Sequence, residues 1–378
     1  MTVDSDHKGA EEFLSGKLAQ VNVARIEKEL SGLWKTAAHG DVDACTAAVV
    51  RAVSFNLILL TDEADAEQKC SDLLDEIESV HPCRSILAIF RDGQQHNLSA
   101  WVSARCHTSG SSKQICSEQI TVSCEGGRPE ELASVVLPLI LPDLPVFVWW
   151  RQHKVSWDEL TALHACARRF ILDSGRDAFD PAIFKDAYQL IQSNSGCLYV
   201  SDLNWRRLHG WCRAFADSFD GFPVPLALLN KISRVNITFN GESTVSNRVL
   251  LFTGWMAARL GWQPKEIDLK RGAKFQTKGG AVEVIFTPDK DNLSPGHIRE
   301  IQVDFAGDNR QLVISPERTA EARFIIARLA GSEENEATRV SNVLSEAVLV
   351  GQELEVLGAD PIYEASVAMV SKMVSVRK

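Results

Sequence analysis

From about residue 50 the chain alternates short apolar runs with stretches that repeat at helical spacing. Val53–Leu60 (VSFNLILL) is too apolar for a one-sided strand and reads as a strand covered on both faces. Cys70, Leu73, Leu74, Ile77 and Val80 then recur at helical spacing. His81-Pro82 ends that helix, because the residue before proline is pushed out of the helical region. Ser85–Phe90 is a second apolar strand. Upstream, Ile26, Leu30, Leu33 and Trp34 predict a helix over Arg25–Ala38, preceded by a mixed polar start.

The period changes to two at Ala100, Val102, Ala104 and Cys106, and again at Ile120, Val122 and Cys124, with polar residues between. Two alternating runs around a Gly/Ser-rich segment predict an antiparallel hairpin turning near Ser109–Ser112. A short helix over Pro129–Leu137, stopped by Pro138, leads to a strand at Val146–Trp150. The capping box Ser156-Trp157-Asp158-Glu159 opens a helix running to Ala167, and Arg169–Asp173 is the next strand. Asp180-Pro181 starts a helix reaching about Gln192, and Leu198–Val200 is a strand. Leu208, Trp211, Cys212, Phe215 and Phe219 mark the buried side of a helix that Asp202 can cap. Ser233–Phe239 is a strand, and a helix through Val249, Phe252 and Met256 ends at Gly261. Beyond Lys265, alternation at Ile301, Val303 and Phe305, a Gly307-Asp308-Asn309 turn and Leu312–Ile314 indicate antiparallel strands. Two helices are expected near 337–351 and 360–374.

This order predicts an α/β fold of layered, partly parallel mixed sheets flanked by helices, with a more antiparallel α+β C-terminal part. The expected divisions are an N-terminal extension and helix (1–45), an N-terminal α/β domain (46–165) and a C-terminal α/β domain (166–378).

Composition narrows the function classes. A formal charge of −10, from 40 Lys and Arg against 50 Asp and Glu, opposes general attraction to nucleic acid or anionic lipid. No apolar stretch approaches the roughly 18 residues of a membrane span, and the first dozen residues lack a signal-peptide layout. A cytoplasmic protein with neither nucleic-acid nor membrane partner is expected. The nine cysteines are odd in number and show no C-x-x-C spacing, which argues against a disulfide framework or a zinc site.

The fingerprints of dinucleotide, phosphate-loop, zinc-protease and nucleophile-elbow sites are missing, so no cofactor and no catalytic residue is assigned. Four constellations remain. Arg84 follows the helix stop His81-Pro82-Cys83. Trp149 and Trp150 point to opposite faces of one strand and precede Arg151, so a covered sheet and a partner contact are both open readings. Trp205, Arg206 and Arg207 follow the cap at Asp202, as a presented anchor or as part of a solvated basic face. Lys265, Lys270, Arg271, Lys274 and Lys278 form a loose basic cluster that reads as a solvated loop.

Six phrases in order, SFNLILLTDE, HPCRSILAI, VVLPLILPDLPVFVWW, RRFILDS, YVSDLNWRRLHGW and LLFTGWMAARLGW, are similar to the landmarks of OpcA-type glucose-6-phosphate dehydrogenase assembly proteins. They span Ser54–Trp262. The resemblance implies a non-catalytic factor that binds glucose-6-phosphate dehydrogenase, promotes its active oligomer and activates it allosterically in the oxidative pentose phosphate pathway. NADP and the sugar phosphate would belong to the partner. The expected contact residues are Arg84, Trp149, Trp150, Arg151, Trp205 and Arg206. The alternative is a sugar-phosphate-binding α/β enzyme, with Arg84, Lys270 and Lys274 on phosphate and Asp173 or Asp202 in acid–base work. A redox-responsive adaptor working through a cysteine pair is the third reading.

Overall fold

The computed structural model describes residues 23–39, 48–51, 53–63, 66–94, 96–109, 113–151, 161–193, 196–220, 224–290, 294–318, 323–330, 337–341 and 345–376. The chain divides into two compact units, one ending at Ile171 and taking in Val350–Glu355, the other formed by the remainder. The capping box at Ser156 lies outside the described residues.

The first unit comprises α1 (Val23–His39), β1 (Ala48–Arg51), β2 (Asn56–Thr61), α2 (Ala66–Val80), β3 (Arg84–Arg91), β4 (Asn97–Ser109), β5 (Lys113–Glu125), α3 (Pro129–Val136), β6 (Val146–Arg151), α4 (Thr161–Cys166) and β7 (Arg169–Leu172). Its sheet runs β1-β5-β3-β2-β6-β7, with β4 pairing β5. All these pairings are parallel except the β4–β5 hairpin. Every residue of β2 and of β6 is buried, as expected for parallel strands with both faces covered.

Asn56 anchors the proline-rich segment before β6. Its amide donates to the Leu141 carbonyl (3.1 Å) and accepts from the Leu141 N–H (2.8 Å), while its own N–H donates to Pro145 (2.9 Å). The LPDLP phrase therefore turns back against β2, with Asp143 at φ 65°. Pro138 does not end the chain's helical path as expected. α3 stops at Val136 and a 3-10 turn carries Leu137–Leu139. In α2, Cys70, Leu74 and Ile77 are buried, but Val80 is 70% exposed because the helix runs out at its last turn.

The second unit holds α5 (Ala182–Ser193), β8 (Tyr199–Asp202), α6 (Leu203–Asp217), β9 (Ile232–Asn240), α7 (Asn247–Leu260), β10 (Gln263–Asp268), β11 (Gly272–Thr277), β12 (Gly280–Asp289), β13 (Ile298–Phe305), β14 (Gln311–Arg318), β15 (Arg323–Ala330), β16 (Ala337–Ser341), α8 (Glu346–Glu355, whose second half belongs to the first unit) and α9 (Pro361–Ser375). Strands β9–β16 form one sheet in the order β10-β11-β12-β9-β13-β14-β15-β16, antiparallel except for β12 beside β9. Phe215, Phe219, Phe252, Trp255 and Phe305 meet edge-on or tilted at 5.2–6.4 Å between ring centroids, joining α6 and α7 to β13. α7 packs on α9 at Gly254, where an added Cβ would fall 2.5 Å from Val370 Cγ2. Gly261 ends α7 in the left-handed conformation, φ 67°.

Two expectations need correction here. Residues 337–341 are a strand paired with β15, and the helix expected from 337 begins at Glu346. The basic segment Lys265–Lys278 is not a loop but the β10–β11 hairpin. Its buried positions are sparse and its other face is solvated, so the polar residues hid the alternation. The α/β first unit and the antiparallel-rich second agree with the fold class read from the sequence.

Candidate functional site

The expected contact residues are held mostly by their own unit. Arg84, 1% exposed, stands at the start of β3. Its Nε donates to Glu118 Oε2 (2.8 Å), and its Nη1 to Glu27 Oε1 (2.7 Å) and the Leu139 carbonyl (3.0 Å). Its Nη2 reaches Glu27 Oε2 (3.4 Å) and Glu118 Oε2 (2.7 Å). Those bonds tie α1, β3, β5 and the turn after α3 together. Trp149 and Trp150 are buried on opposite faces of β6. Arg151 lies over the Trp149 ring (5.2 Å) and pairs with Glu63 (2.9 Å). In the second unit Trp205 is buried, its Nε1 donating to Asp360 Oδ2 (2.8 Å) while the other oxygen of Asp360 caps α9. Arg206, one turn into α6, is half-buried and is the most exposed of the six.

The residues proposed for the enzyme alternative are divided between the two units. Arg84 is in the first unit, and Lys274 pairs with Glu266 across the β10–β11 hairpin (3.7 Å). Asp173 and Asp202, by contrast, sit at the ends of β7 and β8 and belong to one group of polar side chains.

That group forms a polar network. Asp202 caps α6, and its Oδ1 accepts from the N–H groups of Asn204 (2.8 Å) and Ser174 (3.0 Å). Its Oδ2 accepts from Ser174 Oγ (2.6 Å). Asp173 binds Arg207 through both oxygens (2.7 and 2.8 Å) and takes the Gly175 N–H (3.0 Å). Asn204 donates to Ser174 Oγ (3.0 Å) and accepts from Arg248 Nε (2.8 Å). Asn247 Nδ2 lies 2.8–2.9 Å from the carbonyls of Ser174, Asp177 and Asp180, tying the start of α7 to the loop after β7. Ser246 caps α7 by accepting from the Val249 N–H, and its Oγ donates to the Gly296 carbonyl (2.9 Å). The Gly296-His297 turn is thereby fixed beside Arg248.

Charges in this network are uneven. Asp173 is held below the usual carboxylate range: burial works against it, but the Arg207 guanidinium more than offsets that. Asp202 is pushed up to about 7, first by burial and then by the Asp173 charge. Burial and the neighbouring Arg207 bring Arg248 down to about 10, so it stays cationic at neutral pH. Burial and the two guanidiniums bring His297 down to about 4 and keep it neutral. Asp202 and Asp173 are legible as site candidates from their places at strand ends, and Arg207 only as part of an anchor or solvated basic face; the structure instead sets it on Asp173. Arg248 lay inside an apolar helical stretch, and no spacing rule joins it to residues 74 and 75 positions earlier.

A smaller cluster lies in the first unit. His96 Nε2, Cys124 Sγ and a Glu131 carboxylate oxygen fall within 4.8 Å of one another, and the His96–Glu131 pair at 2.8 Å accounts for the contact. For the redox reading, Cys70, Cys83, Cys124 and Cys212 are buried, and burial pushes the thiols of Cys83, Cys124 and Cys212 up, away from reactivity. The β4–β5 register sets Cys106 opposite Cys116.

Comparison with known proteins decides the family. Residues 74–187 match the family model described as the N-terminal domain of the glucose-6-phosphate dehydrogenase subunit, OpcA type, and residues 198–367 match the corresponding C-terminal domain. The chain belongs to the OpcA family. An OxPP cycle protein OpcA of Nostoc punctiforme is 32% identical over 203 residues, covering 53% of this chain and 42% of that protein. That of Synechocystis sp. is 28% identical over 208 residues, again covering 42% of the relative. The OpcA of Synechococcus elongatus is 27% identical over 379 residues, 95% of this chain and 82% of its own length. The matched region is thus less than half of the first two relatives. Among solved structures, Gal80p from Kluyveromyces lactis has a TM-score of 0.43 at 10% identity, covering 87% of this chain and 93% of its own. A glucose-6-phosphate dehydrogenase bound to glucose 6-phosphate has a TM-score of 0.37 at 10% identity, covering 87% and 89%. The OpcA landmarks read from the sequence are largely architectural: PDLPVFVWW is the Asn56-held turn with β6, and SDLNWRRL is the end of β8 with the cap and first turns of α6.

Proposed function

We propose that this protein binds glucose-6-phosphate dehydrogenase, promotes its active oligomer and raises its activity, without catalysing a reaction of its own. Membership of the OpcA family carries this reading, since both domains of the family are described by reference to that dehydrogenase. Activation of this kind requires that the protein bind the competent state of the enzyme more tightly than the other state. The protein would act in the cytoplasm, where the oxidative pentose phosphate pathway runs.

Arg206 is the first candidate for a contact, because part of it is exposed while its neighbours Trp205 and Asp202 hold α6 in place. Arg84, Trp149, Trp150, Arg151 and Trp205 would contribute by fixing the strands and helix that present the interface.

Mixing the purified protein with the dehydrogenase of the same organism tests this. Co-elution, a shift of the dehydrogenase to a larger species by light scattering, and a higher initial rate are expected. Arg206→Glu should weaken all three without lowering the melting temperature. A dehydrogenase whose size and kinetics ignore the protein would end the proposal.

A further inference from the structure

We propose that the Arg207–Arg248–His297 corner of the second unit is a binding site for a phosphate group carried by a small metabolite. This goes beyond the assembly role and does not depend on it.

The case starts from hydrogen-bond accounting. Arg248 is 8% exposed, yet among the described residues its guanidinium makes one hydrogen bond, from Nε to Asn204 Oδ1. A buried guanidinium normally has its forked donors satisfied, because an unpaired buried charge is costly. The two carboxylates nearby are both committed. Asp173 gives both oxygens to Arg207 and Gly175, and Asp202 gives both to Ser174 and Asn204. Among the described residues Arg248 is therefore left with Nη donors that meet no protein acceptor, and Asp173 and Asp202 act on its charge without a hydrogen bond to it.

The surroundings suit an anion rather than a missing protein partner. Arg207 is 26% exposed at its side chain, and His297 is partly exposed, so the corner is reachable from solvent. Arg207 and Arg248 repel one another, and both act on His297. An arriving dianion would remove that repulsion, accept from the Arg248 Nη groups in the bidentate manner phosphate favours, and make it easier for His297 to take a proton. The first turn of α7 adds little directly, because the N–H groups of Asn247, Val249 and Leu250 are taken by Ala178, Ser246 Oγ and the Ser246 carbonyl. Side chains must therefore do the binding. The corner is also rigid. Asn247 holds the loop after β7, Ser246 holds the Gly296-His297 turn, and a Cβ on Gly175 would come within 3.0 Å of Asn204 Oδ1.

Inorganic phosphate is the probe, with acetate as the carboxylate comparison. Titration calorimetry of the full chain should show one saturable phosphate site, with a rise in melting temperature that acetate does not reproduce. Arg248→Met should weaken phosphate at least about tenfold. His297→Gln, a partly exposed change that leaves the network's hydrogen bonds intact, should weaken it by a smaller factor and decides the matter if Arg248→Met does not fold. Lys270→Ala, on the solvated hairpin, should bind as the parent does. Absence of saturable binding at about 10 mM phosphate would overturn the proposal. So would equal binding of acetate, or phosphate binding that is unchanged in both His297→Gln and Arg248→Met.

Discussion

Arg84 in the first unit and Arg248 in the second are both buried arginines next to carboxylates, and they are built in opposite ways. Arg84 meets Glu27, Glu118 and a backbone carbonyl, and each of its three nitrogens has a partner. Arg248 has one amide oxygen, while the carboxylates near it are turned towards other donors. A saturated buried charge locks elements together. One left short of acceptors has capacity in reserve for something that is not part of the chain. Burial alone therefore does not separate a structural arginine from a binding one; the count of satisfied donors does.

The largest expected effect comes from breaking the saturated side. Arg84→Met leaves Glu118, itself fully buried, without its cation, and should cost about 3–5 kcal/mol in chemical denaturation. Arg248→Met in the absence of anion should move stability by no more than about 1 kcal/mol, because the loss of one hydrogen bond and of attraction to Asp173 and Asp202 is offset by relief of the burial cost and of repulsion from Arg207. Equal losses from the two substitutions would erase the contrast.

A second expectation concerns pH. Burial pushes Glu78 up to about 8 from an ordinary 4.5, against a smaller opposing effect of the Ser85 hydroxyl that donates to it. The folded state holds this proton more tightly than the unfolded chain does. Its contribution is therefore full below about pH 4.5 and falls away as pH rises towards 8. Glu78→Gln keeps an acceptor for Ser85 but cannot ionise, so it should flatten that decline and gain on the order of 2–4 kcal/mol at pH 8. Denaturation midpoints at pH 5 and pH 8 for both proteins would measure it; parallel pH profiles would show that Glu78 is ionised at little cost. Asp202, pushed up to about 7, adds a decline of the same sign in the second unit between its ordinary 3.8 and that value.

The smallest effect is expected at Trp205. Trp205→Phe keeps most of the buried ring but loses the bond to Asp360, and should cost about 1 kcal/mol in thermal melts. A loss several times larger would mean that the cap of α9 depends on this tryptophan more than one hydrogen bond explains.

Much of the first unit was legible because its signals are local. β2, β3 and β6 are apolar runs, α2 is a helical repeat with a proline stop, and the β4–β5 hairpin is a plain two-residue alternation. Less could be read beyond residue 260. β10–β12 bury few residues, and β16 is a five-residue strand whose side of the sheet is set by β15, not by its own pattern. The site was half legible: Asp202 announces itself as a cap and Asp173 as a strand end, while Arg248 reads as an ordinary position in a helix.

By itself the sequence determined the α/β order of elements, the family, the cap that starts α6 and the glycine that ends α7, because periodicity and capping act over a few residues. Tertiary structure alone decided which charges are neutralised. Whether Arg84 or Arg248 finds a carboxylate depends on groups tens of residues away, brought together only when strands and helices close over them. That is why one arginine became a brace and the other kept a single amide oxygen as its partner among the described residues.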